Sequence, residues 1–139
     1  MPASSSFDYA IVRVVPHVER EEFVNVGVIL FCRTLRFLGS RIELNVERLA
    51  ALSPHIDLAT VQAYLDLIPR ICAGGRQAGP LGQLSRAERF HWLVSPRSTT
   101  VQVSPVHSGL CADPQAALDD LFEKMVRPGG RNCHERLQS

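Results

Sequence analysis

Lysine is nearly absent. Against 14 arginines the 139-residue chain carries Lys124 alone, so Schiff-base or phosphate-loop lysine chemistry has one candidate, in a helix-like segment near the C-terminus, and is all but excluded. Net charge is equally scarce: 15 Lys+Arg and 14 Asp+Glu leave +1 at pH 7. That is too little for the broad phosphate-neutralising face of a non-specific nucleic-acid binder, although a local basic patch remains open. Long apolar runs are missing. The longest, residues 26–32, is far short of a membrane span, and Met1-Pro2-Ala3-Ser4-Ser5-Ser6 has neither the basic nor the apolar part of a signal peptide. A cytoplasmic chain with no membrane contact is expected. Cys32, Cys72, Cys111 and Cys133 form no C-x-x-C pair and are read as reduced thiols.

What is present is ordinary globular composition, 45% hydrophobic and 21% charged with nine each of Gly and Pro, in a length that suits one core. One domain is expected over residues 7–126, with residues 1–6 and 127–139 as mobile termini. Phe7, Tyr9, Ile11, Arg13 and Val15 alternate with Asp8, Ala10, Val12 and Val14, a strand stopped by Pro16. The continuous run from Phe23 to Cys32 suits a central strand. Antiparallel pairing of Val15 with Phe23 would set Arg13 opposite Asn25 and Ile11 opposite Gly27. A third strand over residues 35–44 completes a meander.

Asn45 should cap a short turn through Leu52. Asp57 should cap a helix bearing Leu58, Val61, Tyr64, Leu65 and Ile68, ended or kinked at Pro69. The glycine-rich stretch 74–82 reads as a flexible loop or lid. Residues 90–94, with Phe90, Trp92 and Val94 alternating, and residues 99–106 read as two further strands in a hairpin. Asp113-Pro114 opens a last helix with Leu118, Leu121, Phe122, Met125 and Val126 on its apolar stripe, ended by Pro128-Gly129-Gly130. The expected fold is α+β: a mainly antiparallel sheet of about five strands, a three-stranded meander plus a later hairpin, with two or three helices packed on one face.

A cation inside an apolar strand must reach solvent or an acceptor. Arg13 therefore has two readings, a structural pair with Glu19, Glu21, Glu22 or Asn25, or a ligand clamp to which Arg20 adds a second guanidinium suited to phosphate or carboxylate. Ser95-Pro96-Arg97-Ser98-Thr99-Thr100 is either a Ser/Pro turn capping its own backbone or a hydroxyl-rich anion cradle. His107, at a sheet edge, is either a loop histidine bonded to backbone or a general acid/base. The candidate ligand-binding set is Arg13, Arg20, Asn25, Arg97 and Ser98, with His107 the candidate acid/base. No G-x-S-x-G elbow or phosphate loop occurs. His107, Cys111, Cys133 and His134 match no recognised zinc spacing, and neither metal nor cofactor is expected.

Tyr9-Ala10-Ile11-Val12-Arg13-Val14-Val15-Pro16, then residues 20–31, residues 95–108, Gly109-Leu110 and Asp113-Pro114 together resemble the bacterial family catalogued as domain of unknown function 3037, over residues 7–126. The resemblance implies a small cytoplasmic protein without an established activity, in some cases encoded beside kinases similar to the HipA toxin family. Arg13, Arg20, Glu22, Asn25, Gly27, Ser98 and His107 match the family pattern, which carries no catalytic assignment. The expected function is a non-catalytic accessory or binding domain, with a HipA-like kinase as partner. The alternatives are an enzyme or sensor for a phosphorylated or carboxylated small molecule, and nucleic-acid binding.

Overall fold

The computed structural model describes residues 4–96 and 100–127. Three strands, β1 (Ser5–Val14), β2 (Val24–Cys32) and β3 (Phe37–Ile42), form the expected meander. Next come α1 (Val46–Leu52), α2 (Leu58–Ala73), a 3-10 segment (Arg76–Gln83) and α3 (Arg86–Val94). The chain then returns to the sheet as β4 (Val101–Val103) and β5 (His107–Cys111) before closing with α4 (Pro114–Met125). All five strands lie in one antiparallel sheet of an α+β fold, ordered β3-β2-β1-β4, with β5 also on β1. Ser5 and Ser6, expected in a mobile terminus, are already part of β1.

Arg13 stands opposite Asn25, as the constant index sum requires. Ile11, however, faces Val28, and Gly27 faces Val12, because the register shifts between Val12 and Arg13. Val26 is the extra residue of this bulge, and one extra residue reverses the in-out parity of everything beyond it. Val24 and Val26 consequently share a face with Ile29 and Phe31, while Val28, Leu30 and Cys32 face the other way. Gly27 completes the device. A Cβ there would lie 2.7 Å from the Arg41 carbonyl oxygen of β3.

Because β2 is apolar on both faces, both need covering. On one side α1, α2 and α3 bury Leu49, Val61, Leu65, Ile68, Phe90 and Leu93 against the sheet. On the other, α4 buries Leu118 and Phe122 against Phe7, Ile11, Val28 and Leu30. Three helices on one face are as expected, and α4 is an additional cover on the second, which a strand apolar on both faces requires.

The later hairpin is corrected too. Residues 90–94 belong to α3, whose start is fixed by a reciprocal Ser85/Glu88 capping box. The two late strands are not a hairpin; both run antiparallel along the outer side of β1, Val103 opposite Val12 and His107 opposite Tyr9. They form one edge strand interrupted at Ser104-Pro105-Val106. There the buried Ser104 donates its backbone N–H to the Ile11 carbonyl and accepts the Ile11 N–H on its hydroxyl, each at 2.9 Å. Proline and a bulge are common ways of blunting an open sheet edge.

Asn45, Asp57 and Asp113 cap α1, α2 and α4 as expected. Pro69 does not end α2, which continues to Ala73. The extra turn buries Ile71 and Cys72, and that burial outweighs the lost amide donor. The stretch 74–82, expected as a flexible loop or lid, folds mostly into the 3-10 segment, with Ala78 and Leu81 packed on the core below. The expected stop at residues 128–130 lies outside the described residues, as does the tail beyond.

Candidate functional site

Arg13 projects from β1 on the α4 side of the sheet, the parity it shares with Phe7 and Ile11. It meets a π face rather than a carboxylate, its guanidinium carbon lying 4.4 Å from the centre of the Phe23 ring. Flat, weakly hydrated guanidinium groups stack well on aromatic faces. Its strand neighbours are Asn25 and Gln102. Asn25 donates its side-chain amide to the Met125 carbonyl at 3.1 Å, tying β2 to the end of α4. Arg20 lies in the 3-10 turn Val18–Arg20 and pairs with Glu22 at 2.8 Å, both side chains well exposed.

His107 opens β5, exposed, with its ring 5.5 Å from that of Tyr9 across the ladder. Arg13 and Asn25 are therefore brought together as cross-strand neighbours. His107 is not part of that group: Tyr9 and Arg13 are four residues apart on one strand, about 13 Å. Arg97 and Ser98 lie outside the described residues.

One charged group escaped the sequence reading. Arg89 is 8% exposed, and its guanidinium donates to the Leu84 and Cys72 carbonyls with no carboxylate partner among the described residues. It holds the C-terminal end of α2, where Gly74 takes a positive φ of 74° and lies against the Arg89 guanidinium. A cation at the negative end of a helix dipole is favoured. The signal lay in the capping box Ser85-Arg86-Ala87-Glu88, which marks a helix and so puts Arg89, Phe90 and Leu93 on one buried stripe.

Nucleophilic chemistry has little support in the described thiols. Burial pushes the Cys72 thiol up to about 11, against the pull of Ser40 and Arg89, which leaves it protonated at neutral pH. Cys111 is also raised, by burial first and by the neighbouring Cys32. Cys32, Cys72 and Cys111 are free; Cys133 and His134 fall outside the described residues. Among the described residues no three His, Cys, Asp or Glu side chains group as metal ligands, and no helix is long and apolar enough to cross a membrane. A small apolar crevice of about 30 Å³, room for roughly one water, lies between α2, α3 and β4.

No curated protein and no solved structure matches this chain. The family described as "Protein of unknown function (DUF3037)" matches it over residues 9–126, most of its length and all of the sheet-and-helix framework from Tyr9 of β1 through α4, and the chain belongs to that family.

Proposed function

We propose that this protein is a non-catalytic binding domain that engages a protein partner through the β5 edge of its sheet. The observation that carries the reading is the exposure there. Among the described residues β5 has β1 as its one strand neighbour, and Leu110 stands 72% exposed with Val106 at 44%. An open edge beside protruding apolar side chains suits addition of an extended segment from another chain. The engaged state of the polar candidates supports it further, since Arg13, Arg20 and Asn25 are each committed to contacts within the fold. A kinase similar to the HipA toxin family, which the family resemblance implies as a genomic neighbour, is the partner to test first.

Calorimetry of the purified pair tests this. The wild-type chain should bind the neighbouring kinase at micromolar concentration or tighter, and Leu110→Asp, at a site exposed enough to leave folding intact, should weaken binding at least tenfold. Absence of heat at micromolar concentrations, or equal binding by the variant, overturns the reading.

A further inference from the structure

The two edges of the sheet differ. The outer side of β1 is lined by an interrupted strand, whereas β3 closes the opposite side with no proline, no lysine and no register shift against β2. Among the described residues β2 is its one strand neighbour. Its single charged residue, Arg41, is drawn over the Phe122 ring and to Asp119 on α4. The ladder decides which backbone groups β3 leaves over. The Glu43 N–H donates to the Val26 carbonyl at 2.7 Å. In an antiparallel pair the bonding direction alternates, so Phe37, Gly39 and Arg41 also turn their N–H and C=O groups toward β2, and Leu38, Ser40 and Ile42 turn theirs outward. An uninterrupted row of such donors and acceptors is a template for another strand.

The two ends of this edge are complementary to each other. Before β3, the turn at residues 33–36 exposes Leu35, at 42%, together with Arg33 and Arg36. After it, Val46 is 48% exposed and Glu47 lies in the first turn of α1. Glu43 is already engaged by Arg127, and Arg48 points about 100° further round the helix than Glu47. We infer that two copies of this chain pair through β3, antiparallel about a two-fold axis at Ser40. In that register Leu38 of each copy faces Ile42 of the other, the two Ser40 residues face each other, and Gly39 stands opposite Arg41. A slip one way sets the two Arg41 side chains opposite each other, a like-charge pair, and a slip the other way leaves Ile42 without a strand residue to bond. The antiparallel sense brings the turn before β3 of one copy to the start of α1 of the other, so that Leu35 meets Val46 and Arg36 meets Glu47. A surface complementary to itself is what a two-fold contact requires. The pairing joins two sheets into one and leaves β5 open on each copy, so it is independent of the partner edge proposed above.

Sedimentation velocity of the full chain should show a dimer at sub-millimolar concentration that dissociates on dilution to the low micromolar range. Over the same range, hydrogen exchange followed by NMR should be at least tenfold slower in the dimer at the Leu38, Ser40 and Ile42 amides and unchanged at Ser108 and Leu110 of β5. Arg36→Glu and Glu47→Arg, both at exposed positions, should each weaken self-association at least tenfold, since the two-fold axis repeats the new like-charge contact. An equimolar mixture of the two variants should restore it, because each altered residue then meets its opposite charge on the other copy. A single-chain mass throughout overturns the inference, whether the β3 amides exchange fast or are protected by the chain's own residues. So does a dimer whose β3 amides exchange no slower than those of the monomer, or one that the mixed variants fail to restore.

Discussion

Ser104 shows how much one hydroxyl can decide. The edge strand must pass Pro105, which has no amide to offer the ladder, and the Ile11 N–H on β1 would be left buried at that step. The Ser104 side chain accepts it at 2.9 Å and turns its own proton to the Pro105 carbonyl. Ser104→Ala removes the acceptor and leaves the donor stranded, a loss of about 1–3 kcal/mol. Urea denaturation followed by circular dichroism should show it as a lower midpoint with unchanged slope, and a change below about 0.5 kcal/mol, the ordinary range of a neutral substitution, would remove this account of the bulge. Arg13 teaches a related lesson about legibility. That a guanidinium inside an apolar strand needs a partner follows from desolvation alone, but the partner is the ring of Phe23, and the hairpin carboxylates nearby in sequence were the more obvious acceptors. Sequence distance could identify the need and not the geometry that meets it.

At the level of elements, capped helices and the meander were readable, because Asn45, Asp57 and Asp113 each act through bonds two or three residues away. Residues 90–94 misled because Phe90, Trp92 and Val94 mimic a period of two over five residues, too short a window to separate it from a helix, and only the Ser85/Glu88 box resolves it. The docking of α4 was not readable at all, since it rests on pairs far apart in sequence. Arg41 and Arg127 lie over the Phe122 ring at 4.1 and 5.0 Å. Arg41 reaches Asp119, and Arg127 grips Glu43 through two bonds of 3.0 and 2.7 Å and Glu123 through a third of 3.0 Å. The bond from Arg127 holds the Glu43 carboxyl below its ordinary 4.5, burial opposing. A depressed carboxyl stabilises the fold above its unfolded pKa, and that contribution is lost as pH falls through the folded value. The melting temperature of Arg127→Ala should therefore lie below that of wild type by a small, constant amount from neutrality to about pH 4.5, the partners being half exposed. Below that the gap should shrink. A gap independent of pH down to 3 would assign the loss to the Phe122 contact instead.

For the molecule as a whole, the bulge at Val26 has the largest consequence. Alternation along β2 sends Val28, Leu30 and Cys32 into the cluster under α4 and Ile29 and Phe31 into the one under α1, α2 and α3, and the bulge moves Val24 and Val26 into the latter. Neither is an independent core, because both are built on the same strand: Ile29 belongs to one and Leu30 to the other, each fully buried. Cooperativity between the faces should follow, since loosening one withdraws side-chain packing that holds the backbone of β1 and β2 for both. Phe122, 1% exposed, and Trp92 on α3 supply an intervention on one face and a reporter on the other. Phe122→Ala should cost about 3–5 kcal/mol through lost burial and the cavity it leaves. If the two clusters unfold as one, the Trp92 fluorescence transition in urea moves by the full amount and coincides with the far-ultraviolet dichroism transition. A Trp92 midpoint that stays at its wild-type position while the dichroism splits into two steps would mean that α4 unfolds separately. The two faces would then be joined only by backbone.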